Sequence, residues 1–153
     1  MTYRALVTGS SGGIGRECVL ALRRMSWEVH GWDYAALDPL CKVVDVTSAQ
    51  QCGEAAVEFG KRPLDLLICA HGVNRICPIS HLDHARMDWH MQANAFSLVN
   101  IFQAVQYNLS QSQRATVCNV TSVAGTVPMT HSLAYNASKA AANMITRQMA
   151  HEL

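Results

Sequence analysis

The sequence predicts an α/β fold, a doubly wound parallel sheet in three layers with helices on both faces, and three observations predict it. Short apolar runs rich in strand formers alternate with turns and longer helical patterns along the chain. Runs such as "LDLLICA" are apolar at successive positions, as strands buried on both faces require. The first run closes in a glycine-rich turn, "VTGSSGGIG", that opens a helical pattern.

The elements follow in order. A strand at residues 4–8, "RALVT", precedes a helix over 14–25 that starts at the glycine turn. A second strand occupies 28–33 and a third 42–46. Between them "YAALDPL" is too short and too broken by proline for a full crossover helix. A helix over 48–60 leads to a fourth strand at 64–70, a long helix over 88–109 to a fifth strand at 115–121, and a last helix starts at 132. The strand order expected of such a fold is 3-2-1-4-5, with the fifth strand at an edge.

With 153 residues, 50% of them hydrophobic and 15% charged, the chain is expected to form a single domain over 1–153 with its own core. A net charge of +1 and no Lys or Arg run give no electrostatic footprint for nucleic acid or a membrane surface, so the partner expected is a small molecule. The strand at residue 4 leaves no room for a secretory leader, and no apolar run approaches the ~20 residues of a membrane span. The six cysteines form no C-x-x-C pair and several sit where small hydrophobes would, which fits a reducing cytoplasm.

In "VTGSSGGIG", residues 7–15, Gly9, Gly13 and Gly15 stand where the chain must turn and let a ligand approach, because glycine lacks the blocking Cβ. A helix N-terminus there presents N–H groups and a positive dipole end, a natural seat for a pyrophosphate. Asp33, at the end of the second strand, is where an acid would accept hydrogen bonds from an adenosine ribose, although an aspartate opening a turn is also common.

A second pattern lies in "SVAGTVPMTHSLAYNASK", residues 122–139, where Ser122 precedes Tyr135 by 13 places and Lys139 follows it by four. On a helix the last two share a face, which sets a phenol beside an ammonium. A cation there favours the phenolate, so a group that ordinarily titrates near pH ~10 would serve as an acid or base closer to neutrality.

Taken together, the T-G-x-x-x-G-x-G spacing of residues 8–15, Asn94 in mid-helix, "NVTSVAG" and "YNASK" resemble the short-chain dehydrogenase/reductases of classical type, in order and separation over nearly the whole chain. The resemblance implies a Rossmann-like fold and an oxidoreductase that transfers hydride between NAD(H), or less readily NADP(H), and an alcohol or carbonyl. It implies Tyr135 as general acid/base, Lys139 as its partner and the holder of the nicotinamide ribose, Ser122 as the hydrogen bond to the substrate oxygen, and Asn94 as support for a proton-relay water. It places the cofactor against Thr8, Gly9, Ser11, Gly13, Ile14 and Gly15, with Asp33, with Asp45 and Val46 at the adenine, and with Ala70 and Gly72 at the adenosine ribose. A homodimer or homotetramer of the complete protein is also implied.

Two departures from the family pattern stand out. Where the family usually reads N-N-A-G, this chain reads "CAHG", residues 69–72, which loses two amides and sets the larger His71 against the cofactor pocket; His71 is expected to point outward into a loop. The other is that the family's later strands and its variable substrate-binding segment have no counterpart, so the domain is expected to be incomplete at its C-terminus.

Three rival readings remain. "HLDH", with His90 and Cys77, suggests a metal if His81 and His84 share a helix face, but fits no common zinc spacing, and no metal is expected. A nucleotide-binding protein that kept the fold without turnover is a second reading. A structural role through the apolar faces around residues 96–109 and 144–149 is the third, although core burial explains them equally.

Overall fold

The computed structural model describes residues 2–35 and 41–152, so most of "YAALDPL" lies outside the described residues. Two compact units emerge, residues 1–71 with 100–120 and residues 72–99 with 121–153. No helix among the described residues is long and apolar enough to cross a membrane.

The first unit is built on a five-stranded parallel sheet of order β3-β2-β1-β4-β5. Its strands are β1 (Arg4–Thr8), β2 (Glu28–Asp33), β3 (Cys41–Val43), β4 (Leu66–Cys69) and β5 (Thr116–Asn119). Along β1, Ala5 and Val7 pack with Ile68 of β4 and with Val19 and Leu22 of helix α1 (Gly13–Arg24). Leu6 projects to the other face and is equally buried, so both faces of the central strand are covered, as its unbroken apolar run requires.

β1 and β2 fall where the sequence places them, but β3 is shorter than the expected 42–46. After Val44 donates to the Asp33 carbonyl, the Asp45 carboxylate accepts from both the backbone N–H and the hydroxyl of Thr47, at 2.9 and 2.7 Å, and this turn ends the strand. Ser48 then caps helix α2 (Ala49–Ala56) by accepting from the Gln51 N–H. β4 starts two residues late because the Leu64 N–H donates to the Asn108 carbonyl instead of to a neighbouring strand.

The second unit holds helix α3 (His84–Met91), a π-helical segment (Gln92–Phe96), the first residues of helix α4 (Ser97–Ser110), a 3₁₀ turn (Val123–Gly125) and helix α5 (Leu133–Glu152). The single helix expected over 88–109 therefore starts earlier and is interrupted. Asp83 caps α3 by accepting from the Arg86 N–H at 2.8 Å, and the widened π segment carries Asn94. α5 packs on α3, on the π segment and on the Val123–Gly125 turn.

Candidate nucleotide-binding turn and Ser-Tyr-Lys site

The glycine turn belongs to the first unit. Gly9 adopts φ +68°, and a Cβ on it would lie 2.6 Å from the His71 backbone nitrogen and 2.7 Å from its Cα, so both the backbone conformation and the close approach demand glycine. Gly15 is held as tightly: its Cβ would sit 2.7 Å from the Gly9 carbonyl carbon. Gly13 differs. A Cβ there meets nothing within 4 Å, so no internal packing explains it, and Gly13 is the first residue of α1. That helix has Gly12 as its N-cap, with no side-chain cap on its first N–H groups, the donor set a pyrophosphate uses. Ile14, beside it, is exposed.

Asp33 supports this turn directly. Its carboxylate accepts from the Ser11 N–H at 2.9 Å and from the Ala35 N–H at 3.2 Å, while the Ser11 hydroxyl donates to the Ala35 carbonyl. The turn-opening role and the position beside the glycine loop thus coincide in one residue. Asp45 is engaged in its own turn with Thr47, and Val46 accepts through its carbonyl from the Asn100 amide. Ala70 continues the sheet by donating to the Thr8 carbonyl at 3.0 Å.

His71 does not point outward as expected. Its Nδ1 lies 2.6 Å from the Thr8 hydroxyl, and Thr8 is completely buried at the end of β1. An alanine in His71's place could form no such bond; the imidazole is long enough to reach back to the strand it leaves.

The remaining candidates lie in the second unit. Tyr135 and Lys139 occupy successive turns of α5, with the Lys139 Nζ 5.9 Å from the Tyr135 ring centroid. Lys139 is only 5% exposed, and this burial holds its ammonium below the usual lysine range. Gly72 lies against the same group, since its Cβ would stand 3.1 Å from Asn94 Oδ1 and 3.3 Å from Lys139 Nζ. Asn94 is buried, and its side chain is fully engaged: Oδ1 accepts from the Val73 N–H at 2.7 Å, and Nδ2 donates to the Val73 carbonyl and to the Ser138 hydroxyl, each at 2.9 Å. Ser122 opens the Val123–Gly125 turn and accepts from the Ala124 N–H at 3.1 Å. Gly125 brings that turn onto α5, because a Cβ there would lie 2.8 Å from the Lys139 carbonyl oxygen.

Ser138 is the residue that sequence reasoning missed. Completely buried, it takes the Asn94 amide hydrogen and donates to the Tyr135 carbonyl at 2.8 Å. A serine in mid-helix within "YNASK" is visible in the sequence, but its partner lies 44 residues away.

The histidines do not assemble as the metal reading requires. His81 ends a 3₁₀ turn (Ile79–His81), Asp83 intervenes as a cap, and His84 begins α3, so the two share no helix face. His90 is buried, donating from Nδ1 to the Arg86 carbonyl and accepting at Nε2 from the Arg75 N–H. No group of three metal-ligating side chains gathers among the described residues.

The sequence profile described as short chain dehydrogenase matches residues 3–153. The chain belongs to the short chain dehydrogenase family. Among curated members it is 30% identical to gluconate 5-dehydrogenase of Gluconobacter oxydans, over 96% of this chain and 64% of that protein. It is 28% identical to L-xylulose reductase of Mus musculus, over 98% of this chain and 65% of that one. The chain thus spans just under two thirds of the length of these relatives. The ligand-free aldohexose dehydrogenase of Thermoplasma acidophilum superposes with a TM-score of 0.93 at 19% identity, covering 99% of this chain and 62% of that one, which establishes the Rossmann-like α/β fold. A 4-hydroxyisoleucine dehydrogenase solved with NADH gives 0.90 at 24% identity, covering 99% and 69%.

Proposed function

We propose that this short chain dehydrogenase is an NAD(H)-dependent oxidoreductase interconverting an alcohol and a carbonyl, with Ser122, Tyr135 and Lys139 as its catalytic residues. The observation that carries the reading is the convergence of Lys139 with Tyr135, Gly72 and Asn94 around one buried ammonium, with the Ser122 turn seated on the same helix. A nicotinamide dinucleotide, when bound, supplies or receives the hydride. The open side of Gly13 and the uncapped start of α1 suit its pyrophosphate, with Thr8, Gly9, Ser11, Ile14 and Gly15 shaping that turn. Asp33, Asp45, Val46, Ala70 and Gly72 are proposed to line the adenosine portion.

The protein's own part is proton transfer and charge stabilisation. During reduction Tyr135 gives its hydroxyl proton to the substrate oxygen as negative charge develops there, and in oxidation it takes that proton back. Lys139 places positive charge beside the phenol as the proton leaves. The Ser122 oxygen already accepts from Ala124, so its own hydrogen is the one to donate to the substrate oxygen. Asn94 acts as a positioning residue, tying Val73 to Ser138 and thus to the turn of helix that bears Tyr135.

Burial pushes the Cys52 thiol up to about 11 and the Cys69 thiol to about 12, so neither is prepared as a nucleophile; the reducing cytoplasmic setting is proposed from the absence of any C-x-x-C pair. A homo-oligomer is proposed from the resemblance, and exposed Phe96 and Met144 are the side chains it would cover. The deciding experiment measures turnover of polyols and their keto forms with NADH and NAD⁺ for wild type and Tyr135→Phe. A loss of about 10²- to 10⁴-fold in the rate with cofactor affinity retained is expected; an unchanged rate refutes the mechanism.

A further inference from the structure

We infer that His71 is a positioning residue for the nucleotide-binding turn, a role the chain builds from the very segment in which it departs from its family. The inference rests on the nicotinamide reading for its ligand, but the bracing itself stands on geometry. "CAHG" lacks the two amides of the usual N-N-A-G. In their stead an imidazole reaches back to the strand it leaves: His71 Nδ1 lies 2.6 Å from Thr8 Oγ1.

Thr8 is the last residue of β1 and is wholly buried, and Gly9, with φ +68°, launches the glycine turn from it. The His71 backbone touches that turn as well, since its nitrogen and Cα fill the space a Gly9 side chain would need. One residue therefore grips the turn twice, through its backbone at Gly9 and through its ring at Thr8. The path of the next residues depends on both contacts. Gly12 N–H returns to the Gly9 carbonyl at 3.0 Å, and the Arg16 N–H to the Gly12 carbonyl at 2.8 Å, which sets where α1 starts and where its unused N–H groups lie. Losing the ring contact frees the Thr8 hydroxyl to rotate and loosens the point from which the turn departs. A turn held in one conformation has less ordering left to do when a dinucleotide arrives.

The test uses the whole chain with four variants: His71→Ala, His71→Asn, Thr8→Val and the Thr8→Val/His71→Ala pair. Asparagine keeps a polar atom near the place of Nδ1; valine keeps the shape of threonine without its hydroxyl. Two quantities are read, amide hydrogen exchange at residues 9–13 without ligand and the Kd for NADH by fluorescence. Expected for His71→Ala are exchange faster by up to about tenfold and NADH affinity weaker by a similar factor, the scale of one side-chain hydrogen bond. His71→Asn should recover most of both, and the double variant should be no worse than Thr8→Val alone, because both substitutions remove the same bond. Unchanged exchange in His71→Ala, or full additivity in the double variant, overturns the inference. Faster exchange in a protein whose wild type binds neither NADH nor NADPH upholds the bracing and sinks the nicotinamide reading instead.

Discussion

Asp33 carries more than one duty, and this shapes what its removal does. Its carboxylate accepts from the Ser11 and Ala35 N–H groups, so an alanine there would loosen the turn as well as remove charge. Asp33→Asn limits the structural loss, since its amide oxygen keeps one of the two bonds, which fall on different carboxylate oxygens, while the charge that would repel a 2′-phosphate is gone. We expect wild type to prefer NADH to NADPH, and Asp33→Asn to narrow that preference by roughly 10- to 100-fold, the range of a hydrogen bond to a charged group. Paired titrations of both cofactors check it; a wild-type preference for NADPH contradicts the assignment. At Lys139 the expectation is different again: Lys139→Ala should impair both cofactor binding and turnover, and Ser122→Ala should reduce the rate while leaving cofactor binding near normal, read from the Kd for NADH and kcat on the same samples.

Individual elements also carry a pH dependence. At the N-terminal end of β2, Glu28 meets His30 at 3.1 Å and Arg62 at 2.8 Å, while Glu58 accepts from the Trp32 indole at 3.0 Å and lies 3.8 Å from His30. Burial alone would raise both carboxyls. For Glu28 the hydrogen bonds from His30 and Arg62 and the charges of Arg62 and Arg4 outweigh it; for Glu58 those from His30 and Trp32, with the charges of His30 and Lys42, do the same. Both therefore titrate below their ordinary 4.5. A depressed folded-state pKa means the unfolded chain binds protons first as pH falls. The stabilisation is full above about pH 4.5 and is lost through the range below it. Urea midpoints between pH 7 and pH 3 should fall most steeply below that point, and Arg62→Met should flatten the fall; a slope the same in both proteins would show that the pair contributes nothing.

Much at this scale is legible in the sequence, and the misses share a cause. β1 and β2 are read to the residue because their apolar runs end at glycine and aspartate turns. The end of β3 and the break in the long helix are decided by side chains: Asp45 folding onto Thr47, Asp83 capping α3, Asn94 reaching Val73 and Ser138. Tyr135 and Lys139 meet because helical spacing puts them on one face, and only the resemblance gives the pair a role. Ser138 and the inward turn of His71 depend on partners 44 and 63 residues distant, which periodicity does not register.

For the molecule as a whole, the sheet has an uneven boundary. β5 pairs with β4 and with no other strand among the described residues, and both Thr116 and Cys118 are exposed along it. Parallel strands in this fold class are ordinarily covered, and an edge strand of the composition "ATVCNVT" is a template on which another copy can pair. The chain as given spans just under two thirds of its curated relatives, so the consequence can be tested on these 153 residues directly. We expect concentration-dependent association through β5, relieved by Cys118→Lys, which sets a charge on the edge without touching Tyr135, Lys139 or the glycine turn. Light scattering under reducing conditions distinguishes edge pairing from disulfide formation, and Cys118→Ser controls for loss of the thiol. If the lysine variant associates as much as the serine one, β5 is not the surface through which copies meet.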